Sequence, residues 1–325
     1  MRWNHVKKKS LTKIMVTTIA LFALLLLYVI PAEVETRDTL KVEETLEYVD
    51  QNATSEIFLI DHNDYVARTM VAVNQDTDIE SKVREIISIL TIGSSSETKV
   101  PNGFKAIIPE GTTINSLLYE NGLLKINFSK ELLDVKKEDE EKLVESIVYS
   151  LTSLEKIKNI IIYVENEPLT KLPQTNITLP ATLNRSFGVN KEYEFTSLND
   201  INDVTIYYVN KYNDDYYYVP VTKYMNSSDS KINIIINELS TGPIADTNLM
   251  SFLNSNTKLL AVEELEDTLN LEFNNAILSD LDKQKILEEV VYSICLSVED
   301  NYDVEQVAFY VGEEEIYKST LKTIE

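Results

Sequence analysis

The chain is poor in the residues that most often carry chemistry or staple small folds. Among its 325 residues there is one cysteine, Cys295, so no disulfide can close within the chain. No basic residue flanks Cys295 to activate the thiol. Its place beside an apolar stripe reads as a small buried hydrophobe rather than a nucleophile. Two histidines, His5 and His62, are too few for a metal cage or a serine or cysteine triad, which need convergent ligands. His62 falls in a predicted turn and reads as a solvated residue. Seven glycines and eight prolines exclude a low-complexity chain, and no glycine-rich phosphate loop is present. Basic residues number 30 against 53 acids, a net charge of −23, which argues against nucleic acid as a partner. No catalytic residue, cofactor site or metal ligand is assigned.

What positive charge there is gathers at the start. Arg2, Lys7, Lys8, Lys9 and Lys13 precede an uncharged apolar run, Ile14 to Ile30, and acids follow it from Glu33 onward. At 17 residues the run is long enough to span a bilayer, for which about 17–25 are needed. It exceeds the apolar core of a usual signal peptide, and no small-residue cleavage site follows, so an uncleaved anchor is favoured over cleavage. Lysines before and acids after orient it with a cytoplasmic head over 1–13, a single-pass membrane span over 14–30 and the body outside the cytoplasm. Residues 31–54 read as an acidic spacer. An exported chain without disulfides fits a Gram-positive-type envelope.

The rest is organised by a repeat at an offset of about 143–149 residues. Leu90-Thr-Ile-Gly93 matches Leu239-Ser-Thr-Gly242, and Leu124-Lys-Ile-Asn-Phe128 matches Leu269-Asn-Leu-Glu-Phe273. Val148-Tyr-Ser150 matches Val291-Tyr-Ser293, and Ile162-Tyr-Val164 matches Phe309-Tyr-Val311. Each half opens with a hairpin, Ile57–Ile60 with Tyr65–Val73 and Val204–Val209 with Tyr216–Val221. A helix follows on the apolar face of Ile79, Val83, Ile86, Ile87 and Leu90. Its counterpart carries Ile232, Ile235, Ile236 and Leu239, with Asp229 as expected N-cap and Gly242-Pro243 as stop. Strands of period two come next, Thr113–Tyr119 with Leu124–Phe128 and Lys258–Glu264 with Leu269–Phe273, the first pair joined by Asn121-Gly122. A second helix buries Leu143, Ile147, Val148 and Leu151 in one half, and Leu287, Val290, Val291 and Ile294 in the other. The apolar runs Ile160–Val164 and Val307–Val311 close each half as central strands. The fold class is therefore α+β, two tandem copies of a β-β-α-β-β-α-β domain, at 55–170 and 201–318, with a linker over 171–200.

Ile108-Pro-Glu-Gly-Thr112, Gly122–Ser129, Ile147–Thr152 and Ile160–Val164, with Leu239-Ser-Thr-Gly-Pro243 and Val290-Val-Tyr-Ser293 in the second half, resemble the GerMN domain of sporulation and spore germination proteins. The resemblance gives Pro109, Gly111, Gly122, Gly242 and Pro243 the role of structural motif residues. It departs at Gly93-Ser-Ser-Ser96, where Gly-Pro is expected, and at Leu253-Asn-Ser-Asn256, where Pro-Glu-Gly is expected. It implies a ring-building-like fold, envelope protein partners, a ring-like transenvelope complex among them, and no catalytic residues. Acid clusters such as Glu138–Glu141 and Glu313–Glu315 could pair for glycoside hydrolysis, but solvated faces are the better reading in so acidic a chain. The tyrosines of the second hairpin are the most unusual local feature, and Tyr208, Tyr212, Tyr216 and Tyr218 form the candidate interaction surface. Two functions follow: a tethered non-enzymatic scaffold for an envelope assembly, or a surface module holding peptidoglycan or another glycan through those tyrosines.

Overall fold

Apolar runs alternating with helix-period stretches fold into two sheet-and-helix layers in each half. The computed structural model describes residues 54–243 and 247–321. The expected cytoplasmic head, membrane span and nearly all of the acidic spacer lie outside the described residues, among which no helix is long and apolar enough to cross a membrane.

In the first copy, β1 (Thr54–Asp61) and β2 (Val66–Ala72) form an antiparallel hairpin. The Asp61 carboxylate shapes its turn by accepting from the N–H groups of Asn63 and Tyr65 at 2.8 and 2.9 Å. Helix α1 (Ile79–Leu90) begins at Asp78, whose carboxylate accepts from the Ser81 N–H, and buries the five-residue face expected for it except for half-exposed Ile79. A short strand β3 (Phe104–Lys105) adds to β1. The hairpin of β4 (Ile114–Glu120) and β5 (Leu123–Phe128) turns through Asn121 and Gly122, both at positive φ, as a two-residue turn of this type requires. Helix α2 (Glu140–Thr152) then crosses over to β6 (Asn159–Val164), which runs parallel to β5, and β7 (Glu167–Pro168) completes the sheet.

The second copy repeats the order: β9 (Ile201–Tyr212), β10 (Asp215–Asn226), α3 (Lys231–Thr241), β11 (Leu259–Leu265), β12 (Thr268–Phe273), α4 (Glu288–Asn301) and β13 (Gln306–Val311). A last strand, β14 (Glu314–Thr320), pairs with β13 and was not expected, because Glu313–Glu315 hide its apolar positions. Two caps also differ. Ser230, not Asp229, accepts from the N–H at the start of α3, and Leu287 precedes α4 as an exposed residue rather than joining its stripe.

The copies are not beads on a string. Their opening hairpins join in one six-stranded sheet, where β2 meets β10 at Arg68 and Tyr218. The stretch over 171–200, expected as a linker, is packed down. It buries Leu172, Leu179, Leu183 and Val189, exchanges two backbone hydrogen bonds between Leu183 and Ile160, and adds β8 (Glu192–Glu194) parallel to β10. The described residues thus form one compact unit.

The duplication has a register that differs from one of its sequence matches. The N–H of Phe58 on β1 donates to the Ser150 hydroxyl, and the N–H of Tyr207 on β9 donates to the Ser297 hydroxyl, at 2.8 and 2.9 Å. Ser150 is therefore the counterpart of Ser297, and the matched triplets Val148–Ser150 and Val291–Ser293 sit one helical turn apart.

Candidate interaction surface

The tyrosine hairpin does not present one outward face. A strand sends successive side chains to opposite sides, and both sides of β9 and β10 are occupied here. Tyr208 is 1% exposed, so its place in a surface is corrected: it lies in the second core, with its hydroxyl 3.4 Å from Glu238. Tyr218 is half-buried against Tyr292, ring centroids 5.7 Å apart. Tyr212 packs against Gly103 of the first copy so closely that a β-carbon there would fall 2.5 Å from the ring. Only Tyr216, 44% exposed beside Phe252 and Lys211, faces outward as expected.

The hairpin is instead the floor of a contact between the copies. Asp61 is fully buried, and its second oxygen accepts from the Tyr217 hydroxyl at 2.8 Å and the Asn210 amide at 3.0 Å. Phe104 meets the Tyr217 ring edge-on at 5.0 Å. His62 is exposed yet not without partners, for its ring lies 5.1 Å from Tyr212 and 3.2 Å from the Tyr217 hydroxyl. Burial beside the Asp61 carboxylate pushes the Tyr217 hydroxyl far above the usual range, which keeps it a donor.

The connecting stretch supplies the polar clamps. Arg185 lies over the rings of Phe58 and Tyr149, at 5.3 and 5.0 Å, and donates to Ser153 at 3.0 Å, all in the first copy. Its guanidinium also pairs with Asp300 of α4, whose other oxygen accepts from the Tyr207 hydroxyl at 2.8 Å. Burial raises the Asp300 carboxyl and Arg185 pulls it back part of the way. Burial likewise opposes ionisation of Glu56, but Arg68 and Arg185 outweigh it and hold that carboxyl low. Glu299, next to Asp300, is pushed up to about 8 by burial and then by Glu56. Asn190 closes the seam between β2 and β10. Its side chain takes the Val66 N–H at 3.0 Å and donates to the carbonyls of Val66 and Pro220 at 2.8 and 2.7 Å. Pro220 has no N–H for β2 to accept, so an amide side chain completes the ladder there.

The motif residues lie away from this contact. Pro109 and Gly111, the latter at positive φ, form the turn into β4, where Thr112 caps the Pro109 carbonyl at 2.7 Å. Gly122 turns the β4–β5 hairpin, and Gly242 ends α3 with its N–H on the Glu238 carbonyl and Pro243 following. Cys295 is buried in the second core and its thiol is pushed up to about 12. Among the described residues no group of three or more His, Cys, Asp or Glu is placed to hold a metal ion. Arg185 and Asn190 were not singled out from the sequence. The one available signal was that Arg185 is the sole basic residue between Lys171 and Lys191 in an acidic chain.

A duplicated sheet-and-helix module, fused through its opening hairpins, defines a tandem α+β protein of the GerMN type. The family model described as "Sporulation and spore germination" matches residues 30–170 and 205–317. Spore germination protein GerM of Bacillus subtilis (strain 168) is 31% identical over 287 residues, covering 86% of this chain and 76% of that protein. The solved tandem GerMN domains of the sporulation protein GerM from Bacillus subtilis superpose with a TM-score of 0.73 at 30% identity, covering 80% of this chain and 91% of that one. The chain belongs to this sporulation and spore germination family as a GerM-like tandem GerMN protein.

Proposed function

We propose that this protein is a membrane-tethered, non-enzymatic scaffold that supports a multiprotein envelope assembly during sporulation or spore germination. Residues 14–30 anchor it in the cell membrane, the N-terminus is cytoplasmic, and the tandem domains stand outside, where envelope proteins, a ring-like transenvelope complex among them, are the partners. The observation that carries this reading is the fusion of the copies. Asp61, Asn190 and Arg185 each bind groups from both copies, so the tandem acts as one rigid strut rather than two tethered modules. A rigid element holds two binding faces at a fixed spacing without the entropy cost of ordering a linker. In a spore-forming host, deletion should impair assembly or localisation of an envelope complex, and the wild-type gene should restore it. A variant carrying Arg185→Met should restore it less well. A deletion strain with normal envelope and spores would overturn the proposal.

The glycan reading keeps one supporting observation, the outward ring of Tyr216 beside Lys211. Retention of residues 31–325 on purified wall material, lost on Tyr216→Ala, would favour it over the scaffold.

A further inference from the structure

The fold exposes several sheet edges and treats them differently. On β1 the Phe58 N–H is taken by Ser150, and its carbonyl receives the Ser146 hydroxyl, so α2 plugs that edge with side chains. On β9, Ser297 takes the Tyr207 N–H, while Asn301 accepts from the Thr205 N–H at 3.3 Å and donates to its carbonyl at 2.7 Å. The edges at the opening hairpins are closed by design of the second helix in each copy. Unpaired strand edges otherwise template the addition of another strand.

β11 has no such cover among the described residues. It pairs with β12 on one side only. The equivalent strand of the first copy, β4, also pairs on one side only, but its inner face is covered: Ile114, Leu117 and Tyr119 pack onto the core, and α1 lies against that strand. The two strands share even the position of their bulge, so β4 and β11 align residue for residue. Val262 occupies the place of Leu117 but is 42% exposed. Leu260 and Leu265, 58% and 53% exposed, stand where the first copy has Asn115 and Glu120. Leu260 and Leu265 thus replace polar residues on the outward face, where Glu263 in turn replaces the exposed Leu118, and the backbone edge stays open. Between Lys258 and Lys283 the charge is of one sign. From Leu259 to Asp282 the chain has seven acids and no base, and Glu263, Glu264, Glu266 and Asp267 are all exposed.

We propose that β11 is a docking edge for an extended segment of a partner protein with alternating apolar and basic residues, which adds to the β11–β12 sheet as a further strand. Backbone hydrogen bonds would supply affinity, Leu260 and Leu265 on the outward face and Val262 on the opposite face would seat the partner's apolar side chains, and the acids beside them would select basic ones. A second copy of this chain pairing through its own β11 would set acid against acid, which the same charges disfavour. The inference names a surface for the scaffold reading and rests on it only for the origin of the partner. A peptide assay tests the surface with no envelope present, so the two can fail separately.

Full-length protein in detergent is titrated against three labelled nine-residue peptides: alternating valine and lysine, alternating valine and glutamate, and the lysine peptide N-methylated at every second residue. Anisotropy reads binding, and amide exchange reads where it occurs. The lysine peptide should bind and slow exchange along β11, and the other two should not bind. Glu263→Lys with Glu264→Lys should weaken binding by about tenfold or more, since like charges then face each other. Glu313→Lys with Glu314→Lys, a control of equal charge at the start of β14, should leave it unchanged. Far-UV circular dichroism confirms that these exposed substitutions leave the fold intact. Equal binding by the N-methylated peptide, equal loss in the control variant, or self-association through β11 without peptide binding would each overturn the proposal.

Discussion

Replacing Arg185 with methionine removes the one group that holds Asp300 while resting on the first copy. Asp300 has 2% of its side chain exposed, and its other partner is a neutral hydroxyl, Tyr207. The carboxylate would be left buried with Glu56 and Glu299 close by, while Arg68 lies against Glu56 and Glu299. Breaking a buried pair by deleting one partner costs about 3–5 kcal/mol. The cation–π contacts on Phe58 and Tyr149 add about 0.5–2 kcal/mol that methionine recovers only in part by packing. A net loss of about 4 kcal/mol is expected, against a total stability of about 5–15 kcal/mol for a typical domain. Because Arg185 clamps one copy to the other, the loss should also change the shape of the transition. Urea unfolding of the wild type, followed by far-UV circular dichroism and tyrosine fluorescence, should give coincident curves. In the variant the probes should separate as the copies unfold independently. Adding Asp300→Leu should recover much of the loss, because the stranded charge goes with it. A loss below about 1 kcal/mol with coincident curves, or no recovery in the double variant, would refute the clamp.

Gly103→Ala should destabilise by about 2 kcal/mol in thermal melts, because the new methyl meets the Tyr212 ring at a backbone φ of +87°. With Tyr212→Ala in the background, the penalty should shrink to that of the backbone alone. Ser150→Ala and Ser297→Ala should each cost about 1–3 kcal/mol by stranding a strand N–H, and Ser293→Ala clearly less, if the copies align through Ser297. Protein stability should fall as pH rises towards 8, because Glu299 with its raised pKa binds its proton more tightly folded than unfolded. Glu299→Gln should flatten that slope and be the more stable form above pH 8, as denaturant midpoints across pH 5–9 would show. A slope unchanged by the substitution would assign it to another group.

Short-range patterns made the copies legible. Ile79 to Leu90 carries a helical apolar face, Asn121-Gly122 can turn a hairpin only one way, and Leu124–Phe128 alternates with period two. All three depend on neighbours within a few residues. β14 escaped because Glu313–Glu315 precede Ile316 and Tyr317, which then show too little apolar periodicity to stand out. The triplet match Val148–Ser150 misled for a related reason. Helical residues four apart share a face, so a match displaced by one turn preserves the pattern, and only the Ser297 hydrogen bond to β9 breaks the tie.

The tyrosine hairpin shows where local pattern stops being informative. Seven tyrosines between Tyr207 and Tyr224 announced a contact surface, and a contact surface is what they form. Its occupant is the same chain. Tyr217 reaches Asp61 across 156 residues and Tyr212 fits over Gly103, pairings that no window on the sequence can see. Duplication explains why such a surface arises. Two like modules begin with like hairpins, and in the fused sheet the second hairpin carries aromatic bulk and hydroxyl donors while the first copy meets it with a glycine and a buried acceptor. Gly103 and Asp61 in the first copy, against Tyr212 and Tyr217 in the second, are that division of labour. The copies diverge again at their edge strands: where β4 sets Leu117 and Tyr119 on the core, β11 sets Val262 and Glu264, both exposed, so the second copy keeps an edge strand whose side chains can meet a partner.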